Sequence, residues 1–122
     1  MPGFEWITHK NKRILYMDIA TPSQNTQELK DVIDKLIPVI EKEPPNSILC
    51  LTNTTGGRFN AEMSQMLKEF TAHNTPYIKM TAIVGVEGIQ RAIYTAVLMF
   101  TKRKNLVLKK KREEALDFLA AL

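Results

Sequence analysis

The sequence predicts a single α/β domain built on a mostly parallel five-stranded sheet, with one antiparallel strand contributed by an N-terminal hairpin. Three observations predict it. Apolar runs of strand character alternate with stretches of helical apolar spacing, which implies parallel strands joined by right-handed crossovers. Two β-rich runs at the N-terminus flank a short polar turn, the pattern of a hairpin. The chain has 122 residues, 44% of them hydrophobic and 25% charged, the balance of one globular unit. No linker, repeat or low-complexity tract divides it, so residues 1–122 are read as one domain in the order ββαβαβαβα.

The hairpin strands are Glu5–His9 and Arg13–Ile19, turning at Lys10-Asn11-Lys12. Thr21-Pro22-Ser23-Gln24 breaks the chain, and Asn25 with Glu28 three residues on marks a helix start. Leu29, Val32, Ile33, Leu36, Ile37 and Ile40 then form one apolar helical face. Pro38 falls inside that pattern and is expected to kink or interrupt the last turns, before Glu43-Pro44-Pro45 ends the helix.

Ser47–Thr52 has the continuous apolar character of a strand buried on both faces. A second helix is expected from Asn60 to Asn74, with Met63, Met66, Leu67 and Phe70 as its core stripe. Tyr77–Val84 reads as the next strand. A third helix after Gly88 carries Ile89, Ala92, Ile93, Ala96, Val97 and Phe100 in register. Leu106-Val107-Leu108 makes a short strand, and Arg112–Leu122 a closing helix with Leu116, Leu119 and Phe118.

Neither long apolar run, Ile48–Leu51 or Val97–Phe100, approaches the roughly 20 residues that span a bilayer. Met1–Trp6 lacks the basic start and apolar run of a secretory signal. The single Cys50 lies in a strand-like run and reads as a small buried hydrophobe. A cytoplasmic location is the expectation.

In an open parallel sheet, ligands bind outside the carboxyl ends of the strands. The residues leaving the strands at that edge are Asp18, then Asn53-Thr54-Thr55-Gly56-Gly57-Arg58, then Gly85-Val86-Glu87-Gly88. The first loop, through its hydroxyls, its main-chain N–H groups and Arg58, could cradle an anion at the second helix. Composition alone favours a plain strand-to-helix turn, with glycines for geometry and threonines for local hydrogen bonds. Gly85 and Gly88 fit a tight turn and do not make a nucleotide fingerprint.

Enzyme templates find no match. His9 and His73 have no Cys or His at metal-ligand spacing, so neither a metal nor a cofactor is expected. Ser23, Ser47 and Ser64 lack the flanks of a nucleophile elbow. Asp18 and Glu87 are two carboxylates at one edge, as acid–base chemistry needs, but a solvated cap or turn role is the preferred reading.

The net charge of +4 is local. Residues 1–101 hold ten Lys/Arg and ten Asp/Glu, while residues 102–122 hold seven and three. No aromatic residue is interleaved within 102–112, which disfavours nucleic acid. A protein partner, an acidic membrane surface touched by Lys102–Arg112, or a simple solvated face remain. Tyr94 and Leu98 broaden the apolar face of the third helix, through deep burial, self-association as a homodimer, or an apolar ligand.

The Leu51–Asn60 loop resembles that of the SpoIIAA-like group of STAS-related domains. Matching stretches are Ile14–Asp18, Lys68–Phe70 with His73–Tyr77, Ile83–Gln90 and Arg112–Leu119, covering nearly the whole chain in order. The resemblance implies a mixed sheet with helices packed beside it, serving as a non-catalytic binding or regulatory module. In similar anti-sigma-factor antagonists a Ser or Thr is phosphorylated in an Asp-x-Ser/Thr-Gly motif. The counterpart here is Asn53-Thr54-Thr55-Gly56, with Thr55 as the acceptor and Asn53 in place of the Asp. A likeness of this group to CRAL-TRIO lipid carriers implies an apolar-ligand role as the alternative.

Overall fold

The computed structural model describes residues 3–20, 25–56, 60–85 and 105–122. Strands β1 (Phe4–His9) and β2 (Lys12–Asp18) lead to helix α1 (Thr26–Glu41), strand β3 (Ile48–Asn53) and helix α2 (Ala61–Asn74). Strand β4 (Ile78–Val84), strand β5 (Leu106–Lys109) and helix α3 (Arg112–Ala120) follow. The third helix expected after Gly88 lies outside the described residues.

The five strands form one sheet in the order β1-β2-β3-β4-β5. β1 pairs with β2 antiparallel, and β2, β3, β4 and β5 pair in parallel. The hairpin turns on Lys10 and Asn11, whose φ angles of 48° and 67° are left-handed. Two such residues in succession make the turn whose twist suits a two-residue hairpin.

Both described crossover helices start where the sequence marks them. Asn25 caps α1 by accepting from the N–H groups of Gln27 and Glu28 at 2.8 and 3.2 Å. Asn60 caps α2 by accepting from Met63 N at 2.8 Å. Each cap satisfies main-chain donors that the first helical turn leaves unbonded.

Of the two outcomes expected at Pro38, a kink or an interruption, the second does not occur. The helix continues through Pro38 to Glu41 without interruption. Proline removes the hydrogen bond to the carbonyl four residues back, which is that of Asp34. Asp34 and Pro38 are both exposed, so water can serve that carbonyl. Leu36 and Ile40, each 0% exposed, hold the flanking turns against the core.

The sheet separates two cores. On one face Leu15, Met17, Cys50 and Ile83 meet Leu29, Leu36, Met63 and Leu67 of α1 and α2. On the other, Ile14, Leu49, Leu51, Ala82 and Val84 meet Ala115 and Leu119 of α3. β3 is buried from Ile48 to Thr52 because it is central and covered on both sides. In α3 the residues that bury fully are Ala115 and Leu119. Leu116 and Phe118 are partly buried and pack against the same core.

α3 is tied to the hairpin at its far end, where His9 Nε2 and Lys10 Nζ lie 2.8 and 3.0 Å from an Asp117 carboxylate oxygen. Hydrogen bonding from His9, then from Lys10, holds the Asp117 carboxyl below the usual carboxylate range. No helix among the described residues is long and apolar enough to cross a membrane.

Candidate functional site

Pairing register brings the expected rim together. Asp18 is level with Asn53, Asn53 with Val84, and Val84 with Lys109. Parallel neighbours in register present side chains to the same face, so these four form one row across the carboxyl ends of β2, β3, β4 and β5.

The Asn53–Gly56 turn leans from β3 over the end of β4. Thr54 is 0% exposed, and its main-chain N–H and its hydroxyl both donate to the Val84 carbonyl, at 2.9 and 2.8 Å. A single carbonyl thus receives two donors, and the first residue after β3 is anchored to the last residue of β4. Asn53 Oδ1 accepts from Thr55 N at 3.1 Å, closing the turn. Gly56 takes the left-handed φ of +73° that the turn needs, where a side chain is disfavoured.

Gly85 then receives Thr55. Its φ is +85°, and a Cβ built there would stand 2.5 Å from Thr55 N and 2.6 Å from Thr55 Cα. No side chain fits that approach. The Asn53–Gly56 turn is therefore packed against Gly85, with Thr55 and Gly56 exposed and Gly85 partly so. At the β2 end, the Asp18 carboxylate accepts from Ala20 N at 2.9 Å, and Ile19 N donates to Asn53 O at 3.1 Å.

The structure thus gathers Asp18, Asn53, Thr54, Thr55, Gly56 and Gly85 at one rim. Within that group Thr54 is hidden and acts as a positioning residue. Arg58, Glu87 and Gly88 lie outside the described residues, as do Tyr94 and Leu98 of the expected apolar surface.

Neither histidine stands near the rim chemistry. His73 Nδ1 and Nε2 face Asn74 Oδ1 at 2.9 Å and Glu41 Oε2 at 3.0 Å. Two acceptors suit the doubly protonated ring, and these hydrogen bonds, that to Asn74 first, raise the His73 pKa. Ser47 and Ser64 hydroxyls donate to main-chain carbonyls of Pro44 and Asn60. Among the described residues no group of three or more His, Cys, Asp or Glu could hold a metal ion.

Two features escaped sequence reasoning. Lys109 joins the rim row, which pairing register alone reveals. A cavity of about 420 Å³ opens between α1 and α2, with Ile33, Ile37, Met66 and Phe70 among its lining. Ile37 and Met66 fit the helical stripes but are only partly buried, and both line this space.

Comparisons with protein-family models, curated proteins and solved structures returned no match for this chain.

Proposed function

We propose that this chain is a non-catalytic binding or regulatory module of STAS type, which engages a protein partner or an anionic ligand at the Asn53–Arg58 loop. The observation that carries the reading is the seating of Thr55. Thr54 is fixed to Val84 by two hydrogen bonds, and the exposed Thr55 is carried onto Gly85. A turn held this rigidly presents its hydroxyl and main-chain groups in a fixed arrangement, which lowers the ordering cost of binding.

Thr55 is the acceptor in the proposed phosphoregulation. Its exposure suits access by a modifying enzyme, and a phosphate there would add roughly −1.5 to −2 charges at the rim. Thr55→Glu and Arg58→Ala variants are to be compared with the parent chain in a partner pull-down. Loss of partners in either is the expected result, and unchanged partners in both would overturn the proposal.

The α1–α2 cavity supports a second reading, a small apolar ligand of the kind CRAL-TRIO-like domains carry. Its volume lies in the range of drug-sized ligand sites, roughly 300–1,000 Å³, and apolar Ile33, Ile37, Met66 and Phe70 line it together with Lys30, Asp34, Glu62, Glu69 and His73. Native mass spectrometry of the freshly purified chain tests it. A co-purifying mass displaced by Met66→Trp supports this reading; a bare chain that also fails to take up a fluorescent fatty acid counts against it.

A further inference from the structure

The basic run Lys109-Lys110-Lys111-Arg112 stands on the same rim as Thr55. Lys109 is level with Val84 at the last pair of the β4–β5 ladder, so Lys110 and Gly85 each follow directly on that pair. Gly85 is the residue on which Thr55 rests. Neighbouring strands lie about 4.8 Å apart, so the strand ends that lead into Gly85 and Lys110 stand about one strand spacing from each other.

The four cations do not share one role. Lys109 Nζ stands 4.6 Å from the ring centre of Phe118, and the Arg112 guanidinium stands 4.6 Å from that of Tyr16. Both are held against aromatic rings on the α3 face. Lys110 and Lys111 are exposed, and no ion pair among the described residues involves either. By contrast, Lys10, Arg13 and Lys30 each have a carboxylate within 3.0 Å.

We infer that the rim receives an acidic segment of a partner protein, with Lys110 and Lys111 meeting its carboxylates while the Asn53–Gly56 turn meets its main chain. This inference rests on the reading of that turn as the binding edge and adds the charge of what binds there. Charge complementarity selects the occupant: two exposed ammonium groups, in no ion pair among the described residues, adjoin a neutral turn rich in hydrogen-bonding groups. Fixed, compact ammonium charges suit carboxylates without demanding the flat fork that arginine offers.

The test uses a fluorescein-labelled peptide of eight glutamates, followed by anisotropy and by amide shifts of the full chain. The expected result is binding that weakens roughly tenfold in the Lys110→Gln/Lys111→Gln double variant and falls with added salt. A Lys12→Gln/Lys35→Gln double variant, altered away from this rim, should bind as the parent does. Amides of Thr55, Gly56 and Gly85 should shift together with those of Lys110 and Lys111. Thr55→Glu should weaken the peptide too, and less so once Lys110 is neutral, because the new carboxylate competes for that lysine.

Equal binding by the parent and the Lys110→Gln/Lys111→Gln variant would overturn the inference, as would shifts that leave Thr55 and Gly85 unmoved. So would tighter binding to phosphatidylserine vesicles or to an oligothymidine of equal charge. Should Thr55→Glu lose its partners in the pull-down while the acidic peptide fails to bind, the binding edge stands and only the acidic occupant falls.

Discussion

Replacing Gly85 by alanine probes the seat of Thr55, and replacing Gly56 by alanine supplies its internal control. Both glycines have left-handed φ angles, +85° and +73°. An alanine in that region costs roughly 1–2 kcal/mol of backbone strain. The surroundings differ completely. A Cβ at Gly56 meets nothing within 4 Å, whereas one at Gly85 meets Thr55 main chain at 2.5 and 2.6 Å. Overpacking of this kind costs about 1–3 kcal/mol more unless a neighbour moves. Gly56→Ala should therefore lose about 1–2 kcal/mol in urea unfolding, and Gly85→Ala about 2–5 kcal/mol, with unchanged m values in both. If the exposed turn yields instead, part of that excess disappears and the Thr55 amide resonance must shift, because Thr55 is the group displaced. Equal costs for the two variants, with Thr55 unmoved in both, would refute the packing of one turn on the other.

Other consequences follow from the same contacts. Thr54→Val keeps the shape but removes the hydroxyl donor to Val84 O, and should lose about 1 kcal/mol in urea unfolding, since Thr54 N still serves that carbonyl. Leu119→Ala empties a fully buried site between α3 and the sheet and should cost about 2–4 kcal/mol by the same measurement. His73 supplies a pH signature. Its folded pKa is raised above the ordinary 6.5, so its contribution is fully present below that value and is lost as pH rises through the raised folded value. Stability measured from pH 5 to 8 should therefore decline in the parent chain, and His73→Gln should flatten that part of the decline.

The parts of the fold that are written locally were legible in the sequence. Asn25 and Asn60 cap the helices they precede, because a short side-chain acceptor before an apolar periodic stretch satisfies the first-turn donors. The continuous apolar run at Ile48–Thr52 marked the central strand. Pro38 does not interrupt α1, and Asp34, whose carbonyl it leaves without a main-chain donor, is an exposed residue. In α3 the small Ala115 buries fully beside Leu119 while Leu116 and Phe118 pack partly buried against the same core, a ranking set by the sheet and not by the helix's own pattern.

The rim was legible in outline from the rule that loops at the carboxyl ends of parallel strands lie together. What the sequence could not show was which loop residues face water. Thr54 and Thr55 are adjacent and alike, yet one is buried and the other exposed, a distinction set by the long-range bond to Val84. The place of Lys109 and Lys110 likewise depends on the β4–β5 register, which no local pattern encodes. The α1–α2 cavity depends on how two helices with regular stripes pack on each other, which neither stripe encodes.

The most direct measurement is a nuclear Overhauser spectrum of the isotopically labelled chain, read for contacts between the Gly85 α-protons and the Thr55 amide and α-proton. Strong cross-peaks between them, with weaker ones from Gly85 to Lys110, are the predicted result. If Gly85 instead shows contacts to the hairpin turn at Lys10 and Asn11 or to Asn46, at the opposite ends of the strands, the shared rim does not exist.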